Sequence, residues 1–307
     1  MSQILIGVIN FGSNSNKFLV SIYANKTLKY VKKYSIVHKI NEELKLEKYE
    51  EKLSLMIDCL YEILKSKRKK QTLIRAVGTE FYRSSNQKDY IIEINEKYLQ
   101  KLKDFTNQQI KFEILNQEEE SILTAKALEM YIPEYTLIDM GGGSTQITTK
   151  INQKYHKFLY KFGCLSKYIN LNEVDDFISF YKLLQTKTDL ILTGGSFIST
   201  LLAIRKIKNP RKQIYQIKTQ ELIKFYRKIQ PLKDEDIALI YPILREREKS
   251  VKTALWFINS LLSKLETQSL KISLLTLLEG LTLQTIELNK LELKKYNIAK
   301  HFNEYST

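Results

Sequence analysis

Residues 4–9, 17–23 and 28–35 carry apolar side chains at the short period of β-strands, with a turn expected at Asn25-Lys26. From residue 44 to 67 the period changes. Tyr49, Leu53, Met56, Leu60 and Ile63 recur at steps of four, three, four and three, which puts one apolar stripe along an amphipathic helix. The two periods then alternate. Strands are expected at 73–77 and 110–115, with a helix at 86–103, and Leu123, Ala127 and Met130 share a face of a helix opening at Asn116. Strands follow at 135–139, 155–162 and 189–192, with helices at 174–184 and through Leu202. The remainder reads as helical: 219–229, 234–241, and a stripe of Val251, Leu255, Ile258, Leu262 and Leu265 against which Trp256 is expected to pack. Interleaved strands and helices over 307 residues make an α/β chain long enough for two domains.

Two places break this alternation with glycine. The stretch from Tyr135 to Thr149 reads Y-T-L-I-D-M-G-G-G-S-T-Q-I-T-T, a strand, a tight turn at Gly141, Gly142 and Gly143, and a second strand. Bare backbone lets N–H groups converge on an anion, the hydroxyls of Ser144 and Thr145 add donors, and Asp139 is placed to hold a cation beside a phosphate. A sharp hairpin with a capping aspartate explains one such turn equally well. The amino terminus repeats the pattern, however: Ile9-Asn10-Phe11-Gly12 lays over Ile138-Asp139-Met140-Gly141, followed by Ser13, Asn14 and Ser15. Two copies suggest two lobes facing one another across a cleft. A third turn, Thr193-Gly194-Gly195-Ser196, precedes a helix and reads either as an anion site at a helix start or as a plain strand-to-helix turn.

Charge adds a partner class. Subtracting 34 acidic from 49 basic residues leaves +15, which favours polyanions, although lysine is spread along the whole chain. The run from Lys65 to Lys70 fits a solvated helix end, and residues 204–212, with five basic residues and Pro210, read as an exposed loop able to extend a basic track. Cys59 and Cys164 lack metal-ligand spacing and read as reduced thiols; His38, His156 and His301 are isolated. No apolar run approaches the ~20 residues of a membrane span, and the start of the chain lacks a secretory pattern, so a soluble cytoplasmic protein is expected.

The motifs G-S-N-S followed by F-L-V, N-Q-E-E-E-S-I-L and I-D-M-G-G-G-S-T-Q resemble those of the exopolyphosphatase and guanosine pentaphosphate phosphohydrolase (Ppx/GppA) family, a branch of the actin-like ATPase superfamily. The resemblance implies an α/β, two-domain actin-like ATPase (ribonuclease H-like) fold, with mixed sheets flanked by helices and an interdomain cleft. Domains are expected at 1–120, joined by a returning segment 288–307, and at 121–287. Glu120, the glutamate before Ser121-Ile122-Leu123, then matches the family's general base, and Arg83 of G-T-E-F-Y-R its phosphate-binding arginine. The phosphate site would comprise Asn10, Gly12, Ser13, Asn14, Ser15, Arg83, Gly141, Gly142, Gly143, Ser144, Thr145 and Gln146. Gly194 and Gly195 would bound the nucleoside side, and Asp139 would hold Mg²⁺. The implied reaction is release of terminal phosphate from polyphosphate or guanosine pentaphosphate (pppGpp). The expected partner is that polyanion, with a homodimer left open, nucleic acid not expected and no membrane.

The departures fall at chemical positions. Asn10 and Gln146 stand where the family has carboxylates, and Leu278 replaces an arginine before the retained Glu279-Gly280. Two fewer carboxylates weaken a hold on Mg²⁺ and make the site more electropositive. Two alternatives therefore stay open: a polyphosphate- or alarmone-binding regulator without turnover, and a phosphotransfer kinase of the same superfamily.

Overall fold

A computed structural model describes residues 3–38, 46–67, 71–184, 188–265, 267–293 and 295–297. Contacts divide the chain into two compact units, one made of the chain up to Ala127 with the segment from Leu277 onward, the other of Leu128–Thr276. His301, residues 68–70 of the basic run, residues 44–45 of the first expected helix and 298–307 of the expected returning segment lie outside the described residues.

The first unit opens with β1 (Ile4–Phe11), β2 (Ser15–Ala24) and β3 (Thr27–Val37), an antiparallel meander. All eight residues of β1 are buried, and their alternation feeds two cores. Leu5, Ile9 and Phe11 pack with Tyr49, Leu53, Met56 and Leu60 of α1 (Leu46–Lys65), while Ile4, Ile6 and Val8 line the opposite core. The α1 stripe closes on Leu64, with Ile63 only partly buried, because a 3.6-residue turn carries the face from Leu60 to Leu64. β4 (Gln71–Gly78) runs parallel to β1, and a short helix that periodicity did not show, α2 (Glu80–Ser84), follows at once. Next come α3 (Lys88–Thr106), β5 (Phe112–Ile114) and α4 (Gln117–Lys126). α4 stops short of Met130, which is exposed, because Tyr131 and Ile132 N–H return to the Leu128 carbonyl and close a separate turn.

The second unit repeats the meander with β6 (Tyr135–Met140), β7 (Thr145–Ile151) and β8 (Lys154–Tyr160). After α5 (Asp175–Leu183), β9 (Asp189–Thr193) joins parallel to β6 and leads into α6 (Gly195–Arg205). β10 (Ile214–Lys218), where no element was expected, is followed by α7 (Thr219–Ile229), α8 (Asp234–Ile240) and α9 (Glu248–Leu265), and β11 (Ser269–Ser273) interrupts the remainder expected to be helical. The two added strands are five residues each and pair with one another, giving the order β10-β11-β9-β6-β7-β8. On α9 the stripe from Val251 to Leu265 is buried, but Trp256 is 36% exposed, since it sits about 100° around the helix from Leu255.

The chain then rejoins the first unit through α10 (Leu277–Leu288) and β12 (Lys295–Asn297), completing the order β12-β3-β2-β1-β4-β5. This return begins at Leu277 rather than at 288, because α10 is buried nearly all round, its leucines filling the core beneath Ile6 and Val8. Gly280 allows it: a Cβ there would lie 1.8 Å from the Leu123 carbonyl oxygen, so α10 rests on the bare backbone of α4. The neighbouring Glu279, fully buried, pairs with Lys33 at 2.8 Å. The architecture is thus mixed α/β, with two mixed six-stranded sheets flanked by helices, as expected.

Candidate active site

Each sheet carries a glycine turn between its first two meander strands. In the first unit Gly12 N–H donates to the Ser15 carbonyl at 3.2 Å, closing the β1–β2 hairpin. That amide is therefore spent inside the turn rather than offered to an anion. The turn is braced on two sides. The His38 N–H donates to the Asn14 carbonyl at 3.0 Å, its ring faces the Gly12 carbonyl, and its Nε2 lies 3.0 Å from Asn16 Oδ1. On the other side Ser13 Oγ donates to the Glu80 carboxylate and accepts from Phe81 N–H at 3.2 Å, which ties the start of α2 to the turn. Asn10 and Asn14 are each 8% exposed, and their Oδ1 atoms have no hydrogen-bond partner among the described residues. A buried acceptor left without a donor costs ~1–3 kcal/mol, so both mark places where a ligand group is wanted.

The second turn has the same closure, Gly141 N–H to the Ser144 carbonyl at 2.9 Å. Behind it, Cys164 N–H donates to the Gly141 carbonyl at 2.9 Å and Leu165 N–H to the Gly142 carbonyl at 2.8 Å. Gly163 makes that approach possible, since a Cβ on it would sit 2.5 Å from Gly142 C and O. The N–H and C=O of a trans peptide point in opposite directions. Fixing the carbonyls of Gly141 and Gly142 therefore aims the amides of Gly142 and Gly143 the other way, and neither donates to a described residue. Thr145 does not join them: its buried hydroxyl donates to the Phe162 carbonyl at 2.8 Å. Gln146 Nε2 donates to Ser144 Oγ at 2.9 Å, and Gln146 faces Asp139 across the β6–β7 register.

The third glycine turn packs against the second. Gly194 has φ +106°, and a Cβ there would lie 2.6 Å from the Met140 carbonyl oxygen and 3.3 Å from Asp139 Oδ1. At the start of α6, the buried Arg247 guanidinium rests on Gly195, where a Cβ would meet Nη1 at 2.6 Å. Arg247, His38 and Glu80 are the residues that reading the chain missed. The R-E-R-E run around Arg247 and the glutamate of G-T-E-F-Y-R were the available signals.

The glutamate cluster at the start of α4 divides its work. Asn116 and Glu119 form a reciprocal cap, Asn116 Oδ1 accepting from Glu119 N–H at 2.8 Å and Glu119 Oε2 from Asn116 N–H at 2.9 Å. Glu120 instead receives Arg83 Nη1 at 2.8 Å, and the same nitrogen donates to the Leu115 carbonyl at 2.8 Å. Both side chains are mostly buried, 13% and 19% exposed, so the pair is well shielded from solvent. Arg83, expected to clasp phosphate, is thus also the group that orients Glu120.

Behind the first turn lies a buried polar chain. Asn16 Nδ2 donates to Tyr49 OH at 3.3 Å, Tyr49 OH to Asn95 Oδ1 at 2.6 Å, and Asn95 Nδ2 to Tyr82 OH at 2.8 Å. Burial pushes the Tyr82 phenol well above its ordinary range, and burial with the nearby Lys52 charge pushes His38 down to about 3. The imidazole is neutral at physiological pH.

Among the described residues no group of three or more His, Cys, Asp or Glu side chains gathers as a metal site. Each unit carries one hard oxygen donor beside its turn, the orphaned Asn10 Oδ1 in the first and the Asp139 carboxylate in the second, the donor type that Mg²⁺ takes. Cys59 and Cys164 are free thiols. No described helix is long and apolar enough to cross a membrane.

The sequence profile of the Ppx/GppA phosphatase family matches residues 28–289. The chain belongs to this family. Ppx/GppA proteins of known structure share its architecture. A family member from Aquifex aeolicus is similar at 19% identity over 94% of this chain and 99% of the other, with a TM-score of 0.65. An exopolyphosphatase from Cytophaga hutchinsonii is similar at 16% identity over 94% and 99%, with a TM-score of 0.72. These likenesses establish the actin-like ATPase type of fold, and Ppx/GppA membership makes the chain a phosphatase-type hydrolase. No curated protein sequence matches it.

Proposed function

We propose that this protein hydrolyses a phosphoanhydride in the cytoplasm, releasing terminal phosphate from inorganic polyphosphate or from guanosine pentaphosphate. The observation that carries the reading is the bracing of both glycine turns: carbonyls are held from behind in each, so that backbone amides are left to face an anion. Glu120, oriented by Arg83, takes the proton of the attacking water. In the first unit the amide of Ser13, with the Nδ2 donors of Asn10 and Asn14, and in the second the amides of Gly142 and Gly143, with the Ser144 hydroxyl at the rim, are each left to take up charge on phosphoryl oxygens. Asp139 would hold Mg²⁺, which when bound screens charge on the substrate's phosphates. Gly194 and Gly195, with Arg247 beside them, bound the part of the substrate away from the scissile bond.

The second reading, a sensor that binds the same polyanions without turnover, is favoured by the carboxamides Asn10 and Gln146 at positions where relatives carry acids. Phosphate release from polyphosphate and guanosine pentaphosphate, assayed in parallel with and without Mg²⁺, separates the two. Hydrolysis of either that is abolished in Glu120→Gln supports the enzyme. Saturable binding with background release, unchanged by Glu120→Gln, supports the sensor.

A further inference from the structure

Both turns are held at a carbonyl by a backbone amide, but in the first the bracing residue adds a side chain, and this assigns a role to a residue outside every motif. In the second unit the backbone amides of Cys164 and Leu165 hold the carbonyls of the turn. In the first unit a single residue, His38, at the end of β3, meets two carbonyls of the turn: its N–H donates to Asn14 at 3.0 Å and its ring faces Gly12. We propose that His38 is the positioning residue of the first phosphate turn, with the buried Asn16–Tyr49–Asn95–Tyr82 chain as its support. The inference rests on the phosphate-binding reading given above.

Geometry argues for it in three steps. The ring lies against Asn16, the residue immediately after the turn, and edge-on to Tyr49, with ring centres 5.0 Å apart, so its orientation is set by two neighbours. The polar chain then runs through α1 and α3 to Tyr82 on α2. Arg83, which orients Glu120, is the next residue. One connected set of side chains thus spans from the turn that would bind phosphate to the helix that carries the arginine. Holding the Gly12 carbonyl also aims the next amide, that of Ser13, away from the ring, by the same trans-peptide geometry that operates at Gly142.

The test compares His38→Ala with His38→Gln in the full chain. Amide exchange measured without substrate should quicken in residues 12–15 of His38→Ala and stay unchanged at 141–143. With polyphosphate the same variant should show a KM raised ~10-fold with kcat within ~3-fold, the loss of about one hydrogen bond's worth of positioning, and His38→Gln should recover part of it. Unchanged exchange at 12–15, or an unchanged KM beside a lowered melting temperature, overturns the proposal and leaves His38 a packing residue. Should His38→Ala fail to fold, Tyr82→Phe gives the same decision: quicker exchange at both 79–83 and 12–15 supports the connected set, and quicker exchange at 79–83 alone contradicts it. Because exchange is read without substrate, absence of turnover in the wild-type protein would count against the phosphohydrolase and not against His38.

Discussion

The two glycine turns have one closure and two kinds of support. Gly12 to Ser15 and Gly141 to Ser144 are each closed by a glycine amide bonded to the serine carbonyl three residues on, and each has its carbonyls held from behind. In the second unit that hold is backbone on backbone, allowed by Gly163. In the first a backbone amide, that of His38, holds the Asn14 carbonyl too, and a titratable ring with a polar network behind it is added. A bend in the chain is easily duplicated, but what aims it is local, and the two units have arrived at it with different chemistry.

The sharpest way to separate the units is at the chemistry, which we assign to the first. Glu120→Gln should lower kcat by ~10²–10⁴-fold with little change in KM, measured by phosphate release. A variant that keeps its rate would remove the division of labour. The next largest effect should come from the brace of the second turn. Gly163→Ala forces a Cβ to within 2.5 Å of the Gly142 backbone, and we expect a loss of ~1–3 kcal/mol in chemical denaturation together with weakened substrate binding.

Acid should distinguish the braces. The His38 pKa is lowered to about 3 in the folded chain, against ~6.5 when unfolded, so the unfolded state binds more protons between these values. Its contribution is complete above pH ~6.5 and is lost as pH falls toward 3. Allowing for the partial exposure of the residue as a whole, His38→Gln should remove ~1–3 kcal/mol of that acid-dependent destabilisation, read from melting temperatures across the window. The smallest effect expected is at the cation. Asn10→Asp makes the first turn resemble the second, with its Asp139, and should lower the Mg²⁺ concentration for half-maximal activity by ~3–10-fold.

Much of this frame was legible in the chain. I-D-M-G-G-G-S-T and its amino-terminal echo mark both hairpins, because glycine runs between β-rich segments have few other uses, and the long apolar stripes of α1 and α9 identify themselves. What the pattern hid is what depends on tertiary placement. β10 and β11 are five residues each and draw their pairing from one another. Trp256 turned outward because a stripe's neighbours lie a third of a turn away. The glutamate cluster could not be divided until Glu119 was seen capping α4 and Glu120 facing Arg83. Thr145 looked like a phosphate donor until its hydroxyl was found on Phe162. Gly163 and His38 carried no periodicity at all, since each acts on a backbone that is remote in sequence.

The central claim is that bracing the carbonyls leaves the amides of Ser13, Gly142 and Gly143 to receive phosphate. Amide chemical shifts in a titration with inorganic triphosphate test it most directly. The account predicts large, saturable shifts at all three amides, while Gly12 and Gly141, whose amides close their own turns, move least. Shifts confined to surface lysines, or to one turn with the other silent, would contradict it.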